Sequence, residues 1–135
     1  MRPEITTKIT AHPDPNKVNL AGFKIKDDEI AEIMAYIKDK KPSTTKIDLD
    51  NNLITDEGAQ ILKEHFHNFN DVQEISVQFN KIGKSGATAL FLLKNEFPSL
   101  NILFRGNKIT DAHEMNKIER ECKEAGTGSV SFPKS

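Results

Sequence analysis

The stretch Ile-Asp-Leu-Asp-Asn-Asn-Leu-Ile-Thr, from Ile47 to Thr55, decides the fold because it recurs twice at nearly constant spacing. Ile-Ser-Val-Gln-Phe-Asn-Lys-Ile-Gly runs from Ile75 to Gly83, and Ile-Leu-Phe-Arg-Gly-Asn-Lys-Ile-Thr runs from Ile102 to Thr110. The asparagine of each copy recurs at steps of 28 and 27 residues, at positions Asn52, Asn80 and Asn107. A repeat of this length, in which a short apolar strand precedes a helix, is typical of a solenoid.

A fainter copy lies upstream at Val18–Ile25, with Phe23 in the place of the asparagine. Between the copies, apolar residues recur at helical spacing, which predicts one buried stripe on each helix. The stripes are Ile30, Ile33, Met34 and Ile37; then Ala59, Leu62 and Phe66; then Ala87, Leu90 and Leu93. We therefore predict a short α/β solenoid of four strand–helix units, with a parallel sheet on the concave side and helices on the convex side.

The two ends of the chain depart from the repeat. Residues 1–17 are predicted to form an N-terminal extension or cap, in which Ile5 and Ile9 could anchor an edge strand or a cap. Residues 18–126 hold the four repeats. Residues 127–135 are predicted to form a capping strand and tail, with the strand at Val130–Phe132. Because both edges of the sheet would then be covered, we expect a monomer.

The unit Leu-x-x-Leu-x-Leu-x-x-Asn-x-Ile, followed by a helix that opens with Gly-Ala, resembles the ribonuclease-inhibitor-like class of leucine-rich repeats. The segments Ile54–Ala59 and Ile82–Leu90 match it most closely. The resemblance extends from about Val18 to Phe132, and it weakens at Phe23 and at His113-Glu114, where caps are expected. It implies a protein that binds other proteins through the concave face of its sheet. One branch of the class activates a small GTPase.

The repeated polar and small residues have structural explanations. Each asparagine can satisfy backbone groups of the turn that follows its strand, and so join one repeat to the next. Gly58 and Gly86 are expected to let a helix approach the sheet closely. Thr55, Ser85 and Thr110 are placed to act near helix N-caps.

The candidate binding residues are those that face the concave side. Equivalent positions form three rows: Asn19, Asp48, Ser76, Leu103; Ala21, Asp50, Gln78, Arg105; and Gly22, Asn51, Phe79, Gly106. Phe79 is an aromatic side chain in a row with nothing to cover it, so we predict that a partner docks there. Leu103, Arg105 and Gln78 would complete the contact, and Asp48 and Asp50 would steer the partner from the flank. The alternative is that Phe79 and Leu103 pack under a terminal segment or are exposed without a function.

We expect a protein that acts without a cofactor or a bound metal, because the sequence has no Gly-rich phosphate-binding loop and because Asp48 and Asp50 have no histidine or third carboxylate near them in the pattern. The net charge is −1, which gives no reason to expect a nucleic acid or a membrane surface as the partner. His65 and His67 are two residues apart on a helix, which indicates surface histidines. Cys122 lies four residues after Ile118, which indicates a packed thiol. The run Lys38–Lys41 indicates a solvated helix end.

Three functions remain open at this point. The first is a non-enzymatic protein-interaction module, because no set of nucleophile, base and oxyanion donors converges in the pattern. The second is a regulator of a small GTPase, for which Arg105 is the concave arginine. The third is a bacterial effector that acts in host cells. We expect a cytoplasmic protein, or in the third case one secreted into a host cell.

Overall fold

A computed structural model describes residues 1–131 of the chain, and the side chains of residues 1–125. Within that part, helices and strands alternate as the repeats predict. In chain order the elements are α1 (Pro3–Ala11), β1 (Lys17–Asn19), α2 (Asp27–Lys40), β2 (Lys46–Asp48), α3 (Asp56–Phe66), β3 (Glu74–Ser76), α4 (Lys84–Leu92), a 3-10 helix (Leu93–Asn95), β4 (Asn101–Leu103) and α5 (Ala112–Ser131).

The four strands form one parallel sheet in the order β1-β2-β3-β4. Its register aligns the repeats, because Ile47 lies opposite both Val18 and Ile75, and Ile75 lies opposite Ile102. Neighbours in chain order are therefore neighbours in the sheet, and each crossover is a helix. This confirms the predicted fold class, a short α/β solenoid with a parallel sheet.

The core lies between the sheet and the row of helices. The central residue of every strand is buried: Val18, Ile47, Ile75 and Ile102. All ten residues of the predicted helical stripes are buried as well. A single strand–helix unit buries too little apolar area to be stable alone, so stability depends on the stacking of neighbouring units.

The first helix covers the N-terminal end of this core. Ile5 and Ile9 lie one turn apart on α1, and both are completely buried. Arg2 holds the start of α1 in place, since its Nε donates to Glu29 at 2.9 Å and its Nη2 donates to the carbonyl of Phe23 at 2.7 Å. The segment that could have supplied an edge strand is thus a helix packed on the first repeat.

The asparagines join each repeat to the one before it, as the sequence predicts. Asn80 Oδ1 accepts the N–H of Ile54 at 3.0 Å, and its Nδ2 donates to the carbonyls of Leu49 and Val77 at 3.0 and 3.1 Å. Asn52 and Asn107 make equivalent bonds across their own turns. All three side chains are buried, so they satisfy backbone groups that water cannot reach.

Carboxylates from the preceding repeat bind the helix N-termini. Thr55 directly precedes α3, but its hydroxyl does not cap that helix. Both the hydroxyl and the backbone N–H of Thr55 donate to the Asp27 carboxylate instead. Asp56 Oδ1 accepts the N–H groups of Gly83 and Gly86 at 2.7 and 2.9 Å. The expected caps within the third and fourth repeats are not seen either, since Gly83 is the N-cap of α4 and Asp111 Oδ1 accepts an N–H at the start of α5.

The glycines at the helix starts make room for these carboxylates. A Cβ on Gly58 would collide with the Asp27 carboxylate and lie 2.7 Å from Cγ2 of Ile54. The glycines therefore have two roles: they leave room for the carboxylate at the start of the neighbouring helix, and they let their own helix lie close to the isoleucine that follows the strand. Sequence reasoning assigned them only the second role.

The prediction of a C-terminal strand at Val130–Phe132 is wrong for the two of these residues that the structure describes. Val130 and Ser131 belong to α5, and Phe132 lies outside the described residues. A strand there would require the chain to leave the helix after Ala125 and turn back toward β4. The helix continues instead, because each added residue gains a local backbone hydrogen bond to the preceding turn.

Lys41 is not part of a solvated helix end, contrary to the sequence-based interpretation. Only 8 % of the residue is exposed, and its Nζ donates to the backbone carbonyls of Asp14 and Lys17 at 3.2 and 2.8 Å. Burial lowers the pKa of this ammonium group. Lys41 thus ties the end of α2 to the start of β1.

Replacing Lys41 with methionine is expected to lower the free energy of unfolding by about 1–2 kcal/mol, because two carbonyls lose their donor while the aliphatic stem is kept. Urea unfolding followed by circular dichroism measures the change. Lys40→Met is the matched control, since this neighbouring lysine is exposed and should change stability by less than about 0.5 kcal/mol. Equal effects of the two substitutions would contradict the role given to Lys41.

Candidate functional site

The concave face of the sheet carries a shallow depression of about 240 Å³. Four of the six predicted binding residues line it: Asp48, Asp50, Gln78 and Leu103. Asp48 and Leu103 flank buried strand centres, and Asp50 and Gln78 continue the same alternation just past the strand ends, so all four point away from the helices. Phe79 and Arg105 follow β3 and β4 and are not part of this lining. The predicted site therefore has two parts: the floor of the depression, which contains Asp48, Asp50, Gln78 and Leu103, and the pair Phe79 and Arg105 outside it.

Hydrogen bonds from the next repeat hold the Asp50 side chain in the floor. Its Oδ1 accepts the Ser76 hydroxyl at 2.6 Å and the Gln78 N–H at 2.8 Å, and its Oδ2 accepts Gln78 Nε2 at 3.3 Å. A carboxylate with three internal donors has little capacity left for a partner. Asp50 and Gln78 thus primarily join the second repeat to the third.

Asp48 is the more available of the two acids. Its Oδ1 accepts the N–H of Asp50 at 2.9 Å, and the residue is half-buried. Burial, together with the charges of Asp50 and Glu74, raises the pKa of the Asp48 carboxyl. Among residues 1–125, no group of three or more histidine, cysteine or acidic side chains is arranged to hold a metal ion.

A fourth concave row was missed by the sequence reasoning. It consists of the residue before each buried strand centre: Lys17, Lys46, Glu74 and Asn101. Lys17, Lys46 and Glu74 also line the depression. The two-residue alternation of the strands contained this signal, because positions on both sides of a buried residue share one face.

The row that contains Phe79 has an unusual backbone. All four of its members have positive φ: Gly22 at 76°, Asn51 at 57°, Phe79 at 57° and Gly106 at 81°. This left-handed region suits glycine and asparagine but is costly for a bulky residue. Hydrogen bonds between repeats hold the turn, since the N–H of Phe79 donates to the carbonyl of Arg105 at 2.8 Å. Backbone geometry therefore explains the glycines and the asparagine of the row, but not Phe79.

Phe79 is exposed on one side and packed on the other. It keeps 44 % of its surface exposed, the larger of the two exposed fractions among big apolar residues in the described part of the chain. Its ring lies against the backbone of Gly106, where an added Cβ would collide with the ring. The guanidinium carbon of Arg105 lies 5.6 Å from the ring centroid. We expected that no residue of this row covers Phe79. That expectation is wrong in part, because Gly106 covers one face of the ring.

The remaining candidates have structural surroundings. Cys122 is buried, its Sγ lies 3.5 Å from the carbonyl of Thr88, and burial raises the pKa of the thiol. His67 Nδ1 lies 2.8 Å from Glu96 Oε1 on the helical side. Within the described residues, none of the helices is both long enough and apolar enough to cross a membrane.

Comparison with known proteins supports the repeat assignment. A family model described as a leucine-rich repeat matches residues 70–91, which include β3 and most of α4. Among solved structures, one similar chain is leiomodin-1 actin-binding site 2, with a TM-score of 0.62 and 11 % sequence identity. The match covers 94 % of this chain and 92 % of that one. No curated protein sequence matches the chain.

The family match and the structural likeness together support a leucine-rich repeat protein with the fold of a short solenoid. At 11 % identity, the likeness to the leiomodin domain concerns the fold alone.

Proposed function

We propose that this chain is a non-enzymatic protein-interaction module, and that its partner docks on the concave side around Phe79. The observation that supports the proposal is an exposed aromatic ring held in a left-handed turn. Aromatic side chains that are rigid before binding contribute much of the energy of protein interfaces. The repeat fold is consistent with this, since solenoids present extended concave binding surfaces.

Folding alone gives no reason for a phenylalanine at this position. A left-handed backbone costs a non-glycine residue about 1–2 kcal/mol, and the flanking repeats carry asparagine or glycine there. Strained residues of this kind occur preferentially at functional sites. We therefore assign Phe79 a role at the surface.

The other predicted residues take different roles in this proposal. Arg105 orients the ring of Phe79 and offers a cation beside it. Leu103 supplies apolar contact in the floor, with Gln78 next to it. Asp48 can contribute to orientation, whereas Asp50 acts mainly within the protein. We further propose the ribonuclease-inhibitor-like class for the repeats, on the Gly-Ala helix starts at Gly58 and Gly86.

Phe79→Ala is expected to weaken partner binding by about 30-fold or more, which corresponds to about 2 kcal/mol. The free energy of unfolding should change by less than about 0.5 kcal/mol, because the lost packing is partial and surface substitutions of this kind cost little. Affinity capture with wild type and Phe79→Ala side by side identifies proteins retained only by wild type. Titration of the purified partner then measures the affinity of both.

Phe79→Gly separates the aromatic contact from the backbone strain. It should be at least as stable as wild type, because glycine relieves the left-handed strain, and it should bind as poorly as Phe79→Ala. Lys94→Ala, on the 3-10 helix of the convex side, is the control that should retain full binding. Loss of thermal stability in Phe79→Ala with binding intact would show that Phe79 belongs to the core and would overturn the proposal.

Regulation of a small GTPase is the second candidate, and the exposure of Arg105 on the concave side favours it. A GTP-hydrolysis assay against a panel of small GTPases tests this function. Stimulation that Arg105→Ala abolishes would support it over simple docking. Actin belongs in the binding assays as well, because the similar leiomodin domain is an actin-binding site.

A further inference from the structure

Three exposed cations, Lys81, Arg105 and Lys108, lie in the turns that follow β3 and β4, and Phe79 lies in the first of these turns. Arg105 contacts the ring, and Lys81 and Lys108 occupy equivalent turn positions, each directly after a buried asparagine of the repeat. The backbones of both lysines are fixed, since the N–H of Lys81 donates to the carbonyl of Ile54 at 2.8 Å and that of Lys108 donates to the carbonyl of Ile82 at 2.9 Å. We call Phe79, Lys81, Arg105 and Lys108 the basic rim.

The cations of the basic rim lack acidic partners within the described residues. Ion pairs occur elsewhere in residues 1–125, but none involves Lys81, Arg105 or Lys108. Two carboxylates in this region are already engaged: Asp111, the nearest acid in sequence to Lys108, accepts the N–H of His113, and Asp56 accepts the N–H groups of Gly83 and Gly86. The rim thus carries three positive charges and one exposed aromatic ring in two neighbouring turns.

The floor beside the rim carries both signs of charge, with three carboxylates and the two lysines Lys17 and Lys46. Asp48, Asp50 and Glu74 lie around the depression, with Asp50 held by Ser76 and Gln78. A negatively charged ligand would be attracted more strongly to the rim, whose charged side chains are all cations, than to the mixed charges of the floor. Such a ligand should therefore lie along the ends of the strands, with its acidic groups at the rim and not over the carboxylates of the depression.

We infer that the basic rim binds an acidic, extended segment of a partner protein, with one large apolar side chain seated on Phe79 and carboxylates against Lys81, Arg105 and Lys108. The inference rests on the proposed function and adds the chemistry of the partner. The charges of the rim favour carboxylates, and the ring favours an apolar neighbour between them. A nucleic acid fits less well, because proteins that bind nucleic acids commonly contact about six to ten phosphates, and the rim offers three cations beside a floor that contains three carboxylates.

Short fluorescein-labelled peptides test this inference by fluorescence anisotropy. The first has aspartate and glutamate on both sides of a central leucine. Three matched peptides replace the acids with lysine, replace the acids with glutamine, or replace the leucine with alanine; an oligothymidylate of similar length is the nucleic-acid probe. The acidic leucine peptide should bind most tightly, and raising NaCl from about 0.05 to about 0.5 M should weaken it because the salt screens the charges.

Charge reversal provides the decisive variant. The triple variant combines Lys81→Glu, Arg105→Glu and Lys108→Glu. Its affinity for the acidic leucine peptide should be at least about tenfold lower than that of wild type, as expected for the loss of three exposed ion pairs. The same variant should gain binding to the lysine peptide. Lys8→Glu, Lys94→Glu and Lys117→Glu combined is the control, because it makes the same change of net charge on exposed helical positions. Far-ultraviolet circular dichroism verifies that both variants fold.

The outcomes separate this inference from the proposed function. If the glutamine peptide binds as tightly as the acidic one and Phe79→Ala still weakens it, the acidic-segment inference is wrong and the proposed function stands. Tighter binding of the oligothymidylate overturns the inference in favour of a nucleic acid. Absence of peptide binding up to about 1 mM also overturns it, since that limit corresponds to only about 4 kcal/mol of binding free energy.

Discussion

Replacing Asn80 with alanine is expected to lower the free energy of unfolding by about 3–4 kcal/mol. The substitution removes the acceptor for the N–H of Ile54 and the donor for the carbonyls of Leu49 and Val77. These backbone groups are buried, and each one left without a partner costs about 1–3 kcal/mol. The loss falls at the junction of the second and third repeats, so it weakens the stacking on which both depend.

Urea unfolding of Asn80→Ala, followed by circular dichroism, measures this loss. Asn101→Ala is the matched control, because Asn101 is exposed and its Nδ2 makes one long bond of 3.3 Å to Glu74. It should change stability by less than about 0.5 kcal/mol. Asn80→Asp adds a further distinction: it keeps an acceptor for Ile54 but loses the donor, so it should also be strongly destabilised. A loss below about 1 kcal/mol for Asn80→Ala would contradict the role given to the buried asparagines.

Gly86→Ala is expected to lower the free energy of unfolding by about 2–3 kcal/mol, although alanine is the better helix former. A Cβ there would lie 2.5 Å from Cγ2 of Ile82, 2.7 Å from Oδ1 of Asp56 and 2.9 Å from Cα of Asp56. The last contact is with backbone, so relief requires α3 and α4 to move apart. Overpacking of this kind commonly costs about 1–3 kcal/mol, and the displaced carboxylate would also lose its bonds to Gly83 and Gly86.

Ser85→Ala provides the comparison within the same helix turn. Ser85 is exposed at the second position of α4, and its replacement should leave stability within about 0.5 kcal/mol of wild type. Asp56→Ala should restore part of the room needed by Gly86→Ala, so the double variant should be more stable than the sum of the single losses implies. Strict additivity would show that the Asp56 carboxylate does not fill the space over Gly86.

The period of the sequence alone determined the architecture. A strand of about three residues, a buried asparagine and an amphipathic helix, repeated every 27 or 28 residues, admit few arrangements other than a parallel stack. Each unit has one apolar face and must bury it against the next, which is why the predicted helical stripes are all buried. The roles of Asn52, Asn80 and Asn107 could also be predicted, because backbone groups of a buried turn need partners.

Only the tertiary structure decided which side chains remain available for binding. The sequence pattern indicated an available acid at Asp50, yet its carboxylate accepts hydrogen bonds from Ser76 and Gln78, 26 and 28 residues away in the following repeat. It also indicated an uncovered aromatic at Phe79, whereas the structure shows that its row is left-handed and that Gly106 supports the ring. The periodicity of a repeat specifies which positions are equivalent. The hydrogen bonds and packing of each position depend on the neighbouring repeat, which lies close only after the chain has folded.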